Sequence, residues 1–529
     1  MYFFPGVILV LAVAILMFGG CGEGEEASGT FTYADLADPV AIDPAYVEEE
    51  IGANINRYLF EGLVKYDSVT GQVVPGVAEE WEVSEDATEF TFKLRKGVRF
   101  SNGRELVADD FVYSWTRALD PATESPMALV ILEPVRDAVA FSMGETDKFT
   151  GVEAVDDHTL KVTLEYPLAE FVTFLGHPVC APVPKEEVEA ASDGYSEKPV
   201  GNGPFMLREW KHDQELVLER NPEYDGEAAR VEEVIVKIIP DEATAIEELK
   251  AGNVDAVKSL PPGMDESLRA DAEVTVVDSD TAALWFAAFN MAESPWSDSK
   301  ALREAVNFAV DRETLADVVM QGHATAADAI VPSAMAGHQD DVLAYRYDPE
   351  QAKAKLAEAG YPEGNGLPAI TLTYPSEGTG PELAQAVQSQ LKEVGIQVEI
   401  NGLAPGDFIE QMTGQQLSFF IISWGADYPS VDTFLYTLFH SSLIGPGAPN
   451  ISQYANDEVD LALDDARASL DAQERSRLYQ EAEGQILADA PIIPLVFSRN
   501  VMAYSSRVSE FVVTPMGDIA LDEVAVSES

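Results

Sequence analysis

Cysteine is scarce in this chain: Cys21 and Cys180 are the only two in 529 residues. No metal cluster can be built from them. Histidine is scarce too. The six, at positions 158, 177, 212, 323, 338 and 440, never stand at i, i+4 and show no zinc spacing. Positive charge is short: 33 Lys and Arg face 92 Asp and Glu, a formal net charge of −59. That balance excludes nucleic acid or an anionic lipid surface as a general partner, since both demand an excess of cations. Catalytic motifs are missing as well. There is no G-x-S-x-G, H-E-x-x-H or G-x-x-x-x-G-K-[ST]. Ser297-Asp298-Ser299-Lys300 matches S-x-x-K, but the S-D-N and K-T-G companions of that serine acyl-enzyme pattern are absent. Ser297 or Asp298 reads instead as the cap of a helix over 299–311. Among so many acids, no pair stands out for glycoside hydrolysis. The chain reads as a non-enzyme without cofactor or metal.

Hydrophobic residues make up 46% of the sequence, which is enough for globular cores. A chain of 529 residues exceeds one core, so two or three domains are expected. The acids are spread along its length, as in Glu48-Glu49-Glu50, Glu186-Glu187 and Asp340-Asp341. A uniformly acidic surface repels itself, and salt screens that repulsion within about 3 Å at 1 M. The charge therefore reads as adaptation to a salty medium.

The apolar segment Val7 to Phe18 has twelve residues. That is too short to span a bilayer but suits a signal-peptide core. It runs into Phe18-Gly19-Gly20-Cys21, which resembles a bacterial lipobox, with Phe18 where leucine is usual. Residues 1–20 are expected to be a signal peptide, Cys21 the lipidated mature N-terminus, and residues 21–30 a flexible tether. With Cys21 modified, no internal disulfide is possible, and Cys180 is expected in a core.

In TEFTFKLRKGVRFSNG, residues 88–103, Phe90, Phe92 and Leu94 alternate with Thr91, Lys93 and Arg95, and Asn102-Gly103 supplies a turn. A helix over 109–119 places Phe111, Trp115, Ala118 and Leu119 on one face, with Asp109 and Asp110 favoured in its first turn. HTLKVTL, residues 158–164, alternates as a strand. Further on, Asp348-Pro349 opens a helix with Ala352, Leu356 and Ala359 on one stripe and Gly360 at its end. A second helix over 380–394 stops at Gly395, and Ile396, Val398 and Ile400 alternate as a strand.

Several segments, in this order, carry a family resemblance. They are DPVAIDPAY (38–46), YLFEGLVKYD (58–67), PGVAEEWEVSEDATEFTFKLRKGVRFSNG (75–103), ADDFVYSWTRALDPATESP (108–126), VGNGPFMLREW with LERNPEYDG (200–226), SDSKALREAVNFAVDRETL (297–315), SWGADYPSVDTFL (423–435) and PIIPLVFSRN (491–500). The chain resembles the peptide-class solute-binding lipoproteins of ABC importers, the oligopeptide-binding proteins among them, from about residue 32 to the end. The resemblance implies an α/β, two-lobed periplasmic-binding-protein-like fold of type II with an extra inserted domain, closing about hinges on a ligand. Lobe I would comprise 31–59, 186–283 and 496–529. The inserted domain would span 60–185, and lobe II 284–495. The implied partners are a short peptide, the permease subunits and a membrane reached only through the lipid anchor, with the protein a monomer. The same scaffold could instead hold a dipeptide-like solute, a nickel chelate or a sugar, or serve as a peptide-binding surface sensor.

The resemblance also names residues. Asp427 in SWGADYPS stands where such proteins have the aspartate that meets the peptide's α-ammonium, a group protonated below about pH 8. Trp424 and Gly425 would offer backbone groups to the first ligand residues, by strand addition. Ala37 and Asp38 would face them from lobe I. Phe286, Trp285 and Phe497 are aromatic candidates for the cleft wall, or for plain core. The two cysteines that pair in some members correspond to Ala283 and Gly425. The basic residue that helps hold the ligand carboxylate in some members corresponds to Ile421. His323 is a weak substitute for it, and is expected at the surface. The charge balance carries its own test: the melting temperature is expected to rise between 0.1 M and 2 M salt, and an unchanged value in a calorimetric scan would contradict the salt-adapted reading.

Overall fold

The run Phe419-Phe420-Ile421-Ile422 is apolar without alternation, and each side chain has 9% exposure or less. Such a run suits a strand covered on both faces. In the computed structural model, which describes residues 29–527, it lies in the strand Phe419–Gly425. Phe419 and Ile421 enter one core with the helices Lys300–Ala309 and Gly380–Glu393. Phe420 and Ile422 enter another with Asp432–Phe439, Asp457–Ala468 and Ala472–Asp489. Helices therefore cover both faces of the sheet in this half of the molecule.

One sheet of eleven strands runs through both halves. In the second half its path is Val398–Leu403, Ile370–Pro375, Phe419–Gly425. In the first half it is Ala256–Val257, Thr30–Asp35, Glu233–Ile238, Glu215–Arg220, Phe205–Lys211. Two long antiparallel strands, Val274–Phe289 and Ile492–Ser505, join the halves. Asp280 pairs with Arg499 and Leu284 with Phe497, so four steps on one strand oppose two on the other. This bulge at 281–283 bends the shared ribbon where it passes between the lobes.

The inserted region has its own four-stranded sheet, ordered Ala78–Val83, Glu89–Leu94, Thr159–Thr163, Val152–Asp156. Its separate core holds Phe90, Phe92, Leu94, Phe111, Trp115, Phe171 and Cys180. The helix Ala108–Leu119 buries Phe111, Trp115, Ala118 and Leu119 together, as its spacing predicts. Its first-turn Asp110 accepts from the Val107 N–H at 2.9 Å and pairs with Arg104. In the second half, Asp348 caps Pro349–Glu358 and Gly360 follows with φ 93°.

Three local expectations change. The helix expected over 299–311 spans Lys300–Ala309, and Ser299 caps it, its hydroxyl accepting from Leu302 N at 3.2 Å. Asp298 instead accepts from Ser294 and Ser297. His323, expected at the surface, is buried beside Asp265, because its turn folds against the ribbon through Arg499 N–H to its carbonyl. Ala359 is only half-buried. The signal segment, Cys21 and most of the tether lie outside the described residues. Among the described residues, no helix is long and apolar enough to cross a membrane.

The Trp115 ring is fully buried and its Nε1 donates to the Cys180 carbonyl at 2.9 Å. Trp115→Ala is expected to cost about 3–5 kcal/mol in the unfolding of the inserted domain, read by urea titration.

Candidate functional site

The bulge frees a carbonyl of the ribbon. Ala282 O accepts from Ala426 N at 2.9 Å, one residue before Asp427. The strand Phe419–Gly425 thus ends pinned to the ribbon, and the loop Asp427–Ser430 leaves from there toward the inserted domain. Ala283 and Gly425 stand directly opposite each other in this register.

The loop is anchored at its far side. Tyr428 is buried in the core of the inserted domain and stacks on Phe174 at 3.9 Å. Ser430 Oγ donates to Glu170 at 2.9 Å, and Glu170 pairs with Arg475 at 3.1 Å. Ala169 N donates to the Arg467 carbonyl at 2.6 Å. Behind the loop lies a buried hub. Asp432 has no exposed surface and accepts from Arg467 Nε and Nη2, both at 2.7 Å. It also accepts from the Tyr428 hydroxyl at 2.9 Å and the Tyr479 hydroxyl at 3.0 Å. Burial alone would raise the Asp432 carboxyl; Arg467 and the phenols outweigh it and hold the group below its ordinary range. The Arg467 guanidinium also lies over the Tyr436 ring, 3.2 Å from its centre.

Asp427 is the contrast. It is partly buried, and burial pushes its carboxyl up to about 6. The Thr433 hydroxyl is the one group that pulls it back, and no charged side chain contributes. Asp427 opens into a cavity of about 980 Å³ between the inserted domain and lobe II. Leu129, Tyr166 and Phe174 line it from one side, and Trp424, Tyr436 and Arg467 from the other. Trp424 donates its indole N–H inward, to Thr433 O at 3.1 Å, which leaves its ring as wall. Arg467 is the cation of this lining, and Asp432 already holds its fork. The arrangement offers an unpaired carboxylate and aromatic faces; it suits an ammonium-bearing ligand with apolar bulk.

Of the candidate residues, Trp424 and Asp427 share this cavity, and Gly425 is exposed at the adjoining strand end. The others are not brought there. Phe286 and Phe497 are 1% and 2% exposed and lie in the lobe II core. Strand alternation turns them inward, Phe286 opposite Ile422 and Pro494. Trp285, on the other face, packs partly buried against the second core of that lobe. Asp38 accepts from Trp210 Nε1 at 2.9 Å and binds His212, while Ala37 is exposed; both stay with lobe I. Ile421 is fully buried, so its side chain meets no ligand. Sequence reading missed Arg467, Tyr166, Tyr436 and Phe174. Arg467 had a signal: it is the one basic residue in the acidic helix Asp457–Ala468. The aromatics had none.

The family model for bacterial extracellular solute-binding proteins, family 5, matches residues 72–445. The chain belongs to that family. This family 5 protein is 28% identical to heme-binding protein A of Haemophilus influenzae, over 98% of each chain. It is 30% identical to probable di/tripeptide-binding protein 5 of Pseudomonas aeruginosa, over 94% of this chain and 96% of the relative. Its structure matches the binding protein DppA from Helicobacter pylori in complex with the peptide STSA, with TM-score 0.78, 26% identity and coverage of 95% and 99%. The fold is thus the two-lobed α/β architecture of these receptors. Members of the family are periplasmic or extracellular solute-binding proteins, not enzymes.

Removing one partner of the buried hub isolates the other charge. Arg467→Met is expected to cost about 3–5 kcal/mol. Pairing it with Asp432→Leu is expected to recover much of that loss, measured as a double-mutant cycle in thermal unfolding.

Proposed function

We propose that this family 5 protein is the receptor of an ABC importer for short peptides, and that Asp427 binds the peptide's α-ammonium. One observation carries the reading: Asp427 is a half-sequestered carboxylate, raised to about 6 by burial, with no cation among the described residues to meet it. A ligand ammonium supplies that cation. The names of the di/tripeptide-binding relative and of the peptide-bound DppA support the ligand class. Trp424 and Gly425 present strand-end backbone to the first ligand residues. Ala37 and Asp38 approach from lobe I on closure about the 281–283 bulge. Phe286 and Phe497 act as support for this wall, not as contacts. Water fills what side chains of different peptides leave open, so sequence tolerance follows. No bond in the ligand is made or broken. Cys21 carries the lipid anchor, the protein works as a monomer, and the acidic surface keeps it folded in salt.

Two measurements test this. Mass spectrometry of ligand released by denaturation from protein made in a peptide-rich medium is expected to show short peptides with free amino termini. A single non-peptide mass, such as a haem or a bile acid, would replace the peptide reading. Calorimetric titration with such a peptide is expected to lose about 2 kcal/mol or more, roughly thirtyfold in affinity, in Asp427→Ala or after N-acetylation. The pH dependence has a fixed sign. The carboxylate must be ionised to hold the ammonium, so affinity falls as pH drops through about 6. Above that it is flat until the α-amino group loses its proton near pH 8. Before ligand binds, the sign for stability is opposite: a raised carboxyl costs the fold more as pH rises through about 6. Asp427→Asn is therefore expected to melt higher than the wild type at pH 7 without ligand, and no higher at pH 4.

A further inference from the structure

Away from the Asp427 cavity, the fold gathers a histidine and two aspartates that sequence spacing does not flag. Asp328, His338 and Asp340 each offer one ligand atom, and these atoms lie within 4.8 Å of one another. His338 is the ordered member. Its side chain is 12% exposed and its ring stands edge-on to Phe497 at 5.8 Å. Its Nδ1 lies 2.7 Å from the Val331 carbonyl. A carbonyl only accepts, so Nδ1 carries the proton, and in the neutral ring Nε2 presents a lone pair.

That lone pair faces carboxylate oxygens of Asp340 at 3.5 Å and Asp328 at 3.7 Å. Three electron-pair donors converge, which is repulsive unless a proton or a cation stands among them. The spacing is longer than a hydrogen bond and close to what a shared ion sets. Charge-assisted hydrogen bonds run at about 2.7–2.9 Å, clearly shorter than these distances. Around an ion with metal–ligand bonds of about 2.0–2.1 Å, at tetrahedral to trigonal angles, neighbouring ligand atoms sit about 3.3–3.6 Å apart. His212 in the same chain meets its two acids at shorter range. Its two nitrogens lie 2.9 Å from Asp38 and 3.1 Å from Glu197, within hydrogen-bond reach.

We propose that Asp328, His338 and Asp340 bind one divalent transition metal of the zinc class, with solvent completing the shell. The imidazole sets the class, since hard ions prefer all-oxygen shells. The surroundings already orient two of the three ligands. The Val331 carbonyl holds the His338 ring, and Asp341 N donates to the other Asp328 oxygen at 2.9 Å. Buried Glu483 accepts from Ile330 N at 2.8 Å and Val331 N at 3.1 Å, which ties the loop to the helix Ala472–Asp489. The ion clips residue 328 to residue 340. The loop between them supplies Ala334, Met335 and Ala336 to a cavity of about 210 Å³ that Pro515 and Met516 of lobe I also line. The metal would thus stiffen a wall shared by both lobes. It replaces the expectation, drawn from spacing alone, that the chain has no metal site.

The test is calorimetric titration of Zn²⁺ into chelator-treated full-length protein, in high salt to suppress loose binding to surface acids. One zinc per chain is expected, weakened at least tenfold in both His338→Ala and Asp340→Asn and unchanged in His212→Ala. The Asp340 side chain is 97% exposed, so that variant keeps its fold. Co²⁺ is expected to give the intense visible absorption of a low-coordinate site in wild type, and to lose it in Asp340→Asn. Zinc affinity indifferent to both substitutions, or many weak equivalents with no dependence on His338, would overturn the proposal.

Discussion

The architecture depends on one backbone pairing: the ribbon formed by Val274–Phe289 and Ile492–Ser505. Because both strands pass through both halves, the halves share one sheet. The bulge at 281–283 breaks the regular pairing of this ribbon. It also spends the Ala282 carbonyl on Ala426, so the loop bearing Asp427 starts from the ribbon itself.

Two carboxylates five residues apart show how the same loop treats charge in opposite ways. Asp432 is fully buried and fully answered, by a bidentate arginine and two phenols. It fixes the loop, since a buried charge keeps its low energy only while every partner stays in place. Asp427 is less buried and unanswered. The hub ties the chain just after Asp427 to Arg467, Tyr428 and Tyr479. Arg467, the one cation nearby, is withheld from Asp427 by its engagement with Asp432. That withholding keeps the carboxylate available.

Much of the fold was legible in local pattern. The alternation of Phe90, Phe92 and Leu94, the stripe Phe111, Trp115, Ala118 and Leu119, and the caps at Asp348, Gly360 and Gly395 all depend on neighbours within a few residues, which sequence displays. Where local signals competed, position misled. Ser297, Asp298 and Ser299 can each cap a helix, and the helix starts at Lys300 with Ser299 as its cap. Phe286 and Phe497 carry the same aromatic chemistry in a core or a cleft wall; the register of the ribbon turns them inward.

The sequence by itself determined most elements and the family, and pointed to Asp427 through the family's motif order, because periodicity, capping and ordered motifs are properties of short stretches. It also determined the acidic surface, which is a matter of counting. Only the tertiary structure decided which groups meet. Arg467 reaches Asp432 across 35 residues, Phe174 reaches Tyr428 from another domain, and the Val331 carbonyl sets the tautomer of His338. Electrostatic and stacking energies act over a few ångströms of space, whatever the separation along the chain. A linear pattern therefore cannot state whether a carboxylate is paired, and in this protein that difference separates a scaffold residue from a site.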